Sequence, residues 1–242
     1  ENKLSVFGVE KILEKRDSIR FELNNLENVS EQILELEFKE KGLTEELFQV
    51  AKDLTFFRKK SAFKLTDSIK QDLLDLGMQT PNVCFELFST NELLYNGVDR
   101  VNFLFSSNKG YDLKPVINIA SGGEIARLML CVKKHLFNMN NFSTIIFDEI
   151  DSGVSGEIGR KMGRILQTMA SKGQVICITH LPQIASLGKH HYKVFKDEGM
   201  DCVTTKVIKL TPVDRIDEIA RMLSGEVINE EAVANAKKML DI

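Results

Sequence analysis

Apolar residues in the first 77 positions step at intervals of four and three. Ile12, Ile19, Leu23, Leu26, Ile33, Leu36, Leu43, Leu47, Val50, Leu54 and Phe57 draw one seam along a helix, interrupted by Arg16 and Glu40. The pattern predicts a coiled-coil strand, roughly 100 Å long at ~1.5 Å per residue if unbroken from Val9 to Leu76. Between Leu26 and Val29 the step is three where four is due, beside Asn24, Asn25 and Asn28. A stammer or break is expected there, with Ser30 as the N-cap of the next helix. Gly42 is a second weak point, and Leu76-Gly77 reads as a helix C-cap ahead of Pro81.

Beyond Gly77 the period changes. Val83–Phe88 and Val101–Phe105 read as antiparallel strands with an Asn96-Gly97 turn between them. A helix is expected from about Gly122 to Phe137. Apolar strands at Thr144–Phe147 and Val175–Thr179, each followed by a helix, predict parallel α/β packing. Tyr192–Phe195 and Val203–Leu210 should form a hairpin across Asp197-Glu198-Gly199. Two helices follow, around Asp214–Leu223 and Asn229–Leu240, the second N-capped by Asn229. The expected division is an arm at residues 1–77 and a globular part at residues 78–242.

Three features of the globular part carry chemistry. Ser121-Gly122-Gly123 opens a helix, where unpaired N–H groups, a hydroxyl and the positive end of the helix dipole suit a phosphate. The strand at Thr144–Phe147 ends in Asp148-Glu149, a hard oxygen ligand for Mg²⁺ and a candidate base for water. His180 ends the next strand, placed to hydrogen-bond a terminal phosphate. Each alone is weak, since a Ser-Gly-Gly turn more often only starts a helix. Their order and spacing together are specific.

That order resembles the second half of an ABC-type ATPase head. Ala120-Ser121-Gly122-Gly123-Glu124 resembles the ABC signature, with Ala in place of the commoner Leu. Thr144 to Glu149 resembles the Walker B strand with its catalytic Glu, and His180 the switch histidine. Ile119–Arg127, Phe147–Gly156, Thr179–Ala185 and Ala220–Gly225 together resemble the RecN family of bacterial SMC-like proteins of double-strand-break repair. The likeness spans essentially the whole chain. In general ABC and SMC heads a D-loop aspartate follows the Walker B Glu. That place falls on Ser155 here, within a Gly-Val-Ser-Gly form that resembles RecN and departs from SMC and Rad50 heads. Ser155 is therefore not given the aspartate's role, and Asp151 is a candidate substitute.

The resemblance implies an α/β fold, the C-terminal lobe of an ABC-type ATPase head preceded by a long coiled-coil helical arm. It implies ATP and Mg²⁺ as cofactors, Asp148 beside the metal, and Glu149 orienting and deprotonating the attacking water. Ser121, Gly122, Gly123 and Glu124 would form the signature surface closing over ATP held by a second head, and His180 would contact the γ-phosphate. Implied partners are an N-terminal Walker A lobe, an outgoing coiled-coil strand, a second head in an ATP-sandwiched dimer, and DNA. A cytoplasmic, nucleoid-associated location in a bacterium goes with them. Two alternatives stay open, a head half of another SMC-like or Rad50-like ATPase and a non-catalytic interaction half-module.

Composition narrows the field. A P-loop needs Gly-x-x-x-x-Gly-Lys and then Ser or Thr, but the only Gly-Lys pair, Gly188-Lys189, is followed by His190. The chain starts at Glu1 without Met, so a fragment is expected, inactive alone. A net charge of -3 exerts no global pull on nucleic acid. The basic cluster Arg58-Lys59-Lys60 with Lys64 reads as a solvated helix face before a phosphate contact. Arg127 could order the signature helix, approach nucleotide or form a surface ion pair. Cys84, Cys131, Cys177 and Cys202 lack metal or disulfide spacing and read as reduced thiols. His190-His191 has no third ligand at a metal spacing. No apolar run approaches the ~20 residues needed to span a bilayer.

Overall fold

The computed structural model describes residues 8–119, 121–140, 142–154, 156–198, 203–225 and 227–242. Ala120, Ser155, Gly199 and Cys202, all named above, lie outside the described residues. The arm is one helix, α1, Val9–Asp75. The expected break near Leu26–Ser30 is absent. Ser30 donates its hydroxyl to the Leu26 carbonyl at 3.0 Å, the back-bond of a mid-helix serine rather than a cap. An asparagine in a helix costs only about 0.7 kcal/mol and Gly42 about 1 kcal/mol. Stopping and renucleating a helix costs more, so α1 runs through both weak points.

By contact the described residues form two compact units, one up to Lys59 with Leu87–Arg100, the other Lys60–Glu86 with Val101–Ile242. The strands β1, Asn82–Leu94, and β2, Gly97–Ser106, contribute to both and are longer than expected. In the first unit, Asp99 is a buried carboxylate accepting from Thr55 at 2.8 Å, Ser89 at 3.0 Å and Arg58 at 3.1 Å. Burial alone would raise its pKa, yet these donors outweigh it and hold the group below the usual carboxylate range. Arg58 also donates to the Asn96 carbonyl at 2.7 Å. This arginine is thus committed inside the unit. The seam itself is open, with Leu26, Leu36 and Val50 each about two-thirds exposed.

In the second unit, α1 ends as its sequence predicts. Gly77 has φ +81°, Met78 N–H donates to the Leu73 carbonyl, and Gly77 N–H donates to that of Leu74. This is a Schellman motif, closed by buried Leu73 and Met78. The main core gathers Ile69, Leu73 and Leu76 with Phe105, Leu128, Phe137, Phe147, Met162 and Met169. A short β3, Lys114–Pro115, pairs antiparallel with β2 and leads into the helix α2, Gly122–Asn140. Next, β4, Thr144–Asp148, and β5, Gln174–Ile178, pair in parallel across α3, Gly156–Ala170, with Asp148 opposite Ile178. The helix expected after β5 is a single turn, α4, Pro182–Ala185.

Strands β6, Tyr192–Glu198, and β7, Val203–Lys209, form the expected antiparallel pair. Asp197 and Glu198 extend β6 instead of turning the chain, because they pair with Thr204 and Val203. The helix α5, Pro212–Ser224, starts before Asp214 because Thr211 and Asp214 form a reciprocal capping box. In α6, Glu230–Met239, Asn229 caps as expected, its side chain accepting from Ala232 N–H at 2.7 Å. Burial pushes the Cys131 and Cys177 thiols up to about 12, so both stay protonated and unreactive.

Among the described residues, the β4–β5 pair is covered on one face only. Phe147 is buried, with Ile145, Val175 and Cys177 packed on the core. On the other face Ile146, Ile176 and Ile178 are 57%, 43% and 52% exposed. Parallel strands are normally covered on both sides, so this face calls for another layer.

Candidate functional site

The signature turn sits at the start of α2. The Ile125 N–H donates to the Ser121 carbonyl at 3.1 Å, closing the first helical bond. The N–H groups of Gly122, Gly123 and Glu124 precede that bond and have no intrahelical partner. Ser121 and Gly122 are exposed. A side chain at Gly122 would meet nothing within 4 Å, whereas a Cβ on Gly123 would stand 2.9 Å from the Gly153 carbonyl. Gly123 is thus required by the fold itself, for close approach to the loop after β4.

Asp148 ends β4 and Glu149 follows it, both exposed. Glu149 has φ +45°, a left-handed conformation that costs a non-glycine residue of order 1–3 kcal/mol. Its N–H donates to the Ile178 carbonyl and its own carbonyl accepts from Ser152 N–H, both at 3.2 Å, which holds the strained residue in place. A cleft of about 240 Å³ brings Gly122 together with Asp148 and Glu149, with Ile125, Met129 and Lys133 among the residues that line it. The Lys133 ammonium lies 5.2 Å from the Phe147 ring centroid, a cation–π contact.

His180 follows β5 with its side chain 67% exposed. Its loop is anchored by Asp151, which is fully buried. One oxygen of Asp151 accepts from the Thr179 hydroxyl, the His180 N–H at 3.1 Å and the Leu181 N–H at 3.2 Å. His180 Nδ1 lies 3.4 Å from the same oxygen. Asp151 therefore joins the loop carrying Glu149 to the loop carrying His180.

Arg127 takes the first of its sequence-level alternatives. Its Nε donates to the Gly123 carbonyl at 3.0 Å and an Nη to the Leu76 carbonyl at 3.3 Å, tying the signature turn to the last turn of α1. Two more ties lie along the same helix pair, where Asp72 accepts from Lys134 at 2.7 Å and from His135 Nε2 at 2.9 Å. Burial alone would raise the Asp72 pKa, but the His135 and Lys134 hydrogen bonds outweigh it and lower the value below 3.8. A depressed folded-state value contributes stability above pH ~4 that fades as pH falls through the lowered pKa. Asp72→Asn should therefore lower Tm at neutral pH, with the difference from the parent shrinking below pH ~4. Thermal melts across pH check this, and a pH-independent difference would contradict it.

The donors and carboxylates fit Mg²⁺ and a nucleoside triphosphate. Open N–H groups at a helix start match phosphate oxygens. Among the described residues no three His, Cys, Asp or Glu side chains cluster to hold a metal by themselves. Asp148 would give one hard oxygen to an ion that takes its remaining ligands from phosphates and water. Among the described residues, no helix is long and apolar enough to cross a membrane.

No protein-family model matches the sequence. The DNA repair protein RecN of Haemophilus influenzae is 35% identical over 96% of this chain and 42% of its own length. That of Halalkalibacterium halodurans is 34% identical over 97% of this chain and 42% of its own, and that of Rickettsia bellii 36% over 90% and 40%. The chain thus spans about two-fifths of the curated relatives it matches. Among solved structures, the Smc head domain with a coiled coil and joint from Pyrococcus yayanosii superposes with TM-score 0.60 at 16% identity, over 92% of this chain and 40% of that one. The Smc head domain with an extended coiled coil from Pyrococcus furiosus gives 0.54 at 18%, over 89% and 53%. These structures share the fold, and the sequence relatives narrow the likeness: over nearly its whole length the chain is similar to RecN proteins, and it folds as an ABC-type ATPase head lobe with a helical arm.

Proposed function

We propose that residues 1–77 are the coiled-coil arm and residues 78–242 the C-terminal head lobe of a RecN-like ATPase. It couples ATP-driven engagement of two heads to DNA binding in double-strand-break repair, within the bacterial cytoplasm at the nucleoid. The observation that carries this reading is the pair of exposed carboxylates, Asp148 and Glu149, at the end of β4. The link through Asp151 to the loop of His180 adds to it.

In this reading Mg·ATP supplies the anhydride bond that is cleaved, with the ion offsetting phosphate charge. Asp148 would hold the ion with a hard carboxylate oxygen. Glu149 orients a water and takes its proton on a carboxylate oxygen. His180 contacts the γ-phosphate from the strand beside it. Ser121, Gly122, Gly123 and Glu124 present their N–H groups and hydroxyl to ATP bound on the second head. The covering layer for Ile146, Ile176 and Ile178 is the Walker A lobe, and the open seam of α1 receives the outgoing coiled-coil strand.

This chain by itself should neither bind ATP with micromolar affinity nor hydrolyse it, because a P-loop supplies most β- and γ-phosphate contacts. Adding the Walker A lobe should restore both activities. Ile176→Lys should block the addition by placing a charge on the uncovered sheet face. Calorimetric titration with ATP and hydrolysis rates, with and without that lobe, test the proposal. Tight ATP binding by the isolated chain, or full reconstitution by Ile176→Lys, would overturn it.

A further inference from the structure

We propose that Asp151 is the positioning residue for His180, holding its loop and turning its imidazole so that Nε2 faces the γ-phosphate. This rests on the reading of His180 given above. The Asp151 side chain has no exposed surface. One of its oxygens, Oδ2, takes every contact, from the Thr179 hydroxyl and the backbone N–H groups of His180 and Leu181. Leu181 N–H also donates to Thr179 Oγ1 at 3.0 Å, so the three residues close around one carboxylate oxygen. The other oxygen, Oδ1, is buried without a partner among the described residues.

The ring of His180 completes the arrangement. Nδ1 lies 3.4 Å from Oδ2, longer than a good hydrogen bond but close enough for the charge to orient the ring. The nitrogen turned away is Nε2, on a side chain that is two-thirds exposed. A carboxylate beside Nδ1 fixes which way the ring turns, and so what Nε2 faces. The partner of one imidazole nitrogen thus decides what the other can do.

Asp151 also stands two residues after Glu149, in the turn where Ser152 N–H donates to the Glu149 carbonyl and Val154 N–H to that of Asp151. The turn that carries Glu149 is thus held by backbone bonds, while the Asp151 side chain reaches only the loop of His180.

Asparagine at position 151 can place its carbonyl where Oδ2 stands and its amide where Oδ1 stands, keeping the loop contacts and losing the charge. Alanine loses both. In a protein of full RecN length carrying this sequence, steady-state ATP hydrolysis is measured for Asp151→Asn, Asp151→Ala, His180→Ala and the double alanine variant. Asp151→Ala should lower kcat about tenfold or more with little change in KM, and Asp151→Asn should fall between it and the parent. The double variant should be no slower than His180→Ala, because Asp151 acts through the ring. If the two losses multiply, Asp151 is a packing residue and the inference fails. If His180→Ala hydrolyses ATP at the parent rate, the role of His180 fails first and this inference with it.

Should Asp151→Ala not fold, ¹⁵N spectra of the His180 imidazole in Asp151→Asn decide the matter. A changed Nδ1 signal is expected, and an unchanged ring would overturn the proposal.

Discussion

Replacing Glu149 by Gln in a complete head should leave ATP bound and the heads engaged while turnover falls about 10²–10⁴-fold. That loss corresponds to about 3–5 kcal/mol of barrier. Gln keeps the volume of Glu and can still hydrogen-bond a water, but it cannot accept the proton. The substitution also leaves the backbone cost alone, since both residues meet the same strain at φ +45°. Asp148→Asn should behave differently. It removes a negative charge from the surroundings of Mg²⁺, so productive Mg·ATP binding should weaken along with catalysis. Hydrolysis rates beside ATP-dependent dimerisation separate the two effects. Hydrolysis at the parent rate by Glu149→Gln would remove Glu149 as the base.

Ser121→Arg should abolish ATP-dependent head engagement while leaving ATP binding to the same head's Walker A intact. Ser121 is exposed beside the open N–H groups of the α2 start, and the fold makes no demand on its side chain. An arginine there puts bulk and a fixed charge where the facing head must approach. The neighbouring glycines sharpen the argument. Gly123 is fixed by the Gly153 carbonyl, but Gly122 has open space around it, so a side chain at Gly122 conflicts only with something that docks. Light scattering of the variant with and without ATP measures engagement. A normal ATP-induced dimer would end the trans role of the signature turn.

The arm and its ending were legible because their causes are local. The heptad seam repeats every few residues, and Gly77 with the apolar pair Leu73–Met78 lies within two turns, from which the Schellman bonds follow. The expected break at Leu26–Ser30 failed because an isolated three-residue step does not outweigh the cooperativity of a long helix. The placement of Ser121–Glu124, Asp148, Glu149 and His180 at the ends of elements was readable because each element's own periodicity defines it. Asp151 and Arg127 were not assigned. Their partners lie 28 to 30 and 51 residues away, and no spacing rule joins a carboxylate after β4 to amides after β5. The Thr211–Asp214 capping box, by contrast, stood in the sequence as Thr-x-x-Asp and shifts the start of α5 by two residues. The uncovered face of β4 and β5 was hidden because strands rich in isoleucine read the same whether one face or both are covered.

The left-handed backbone at Glu149 bears on how damage at this position would be recognised. Glycine adopts φ +45° without penalty, so losing the carboxylate to glycine would relax the chain instead of straining it. Such an allele would accumulate in cells as well as its parent, and an abundance-based screen would score it as healthy. Most harmful substitutions announce themselves by lowering the amount of folded protein. Here the inactive form is the more comfortable one, and only an assay of turnover would find it.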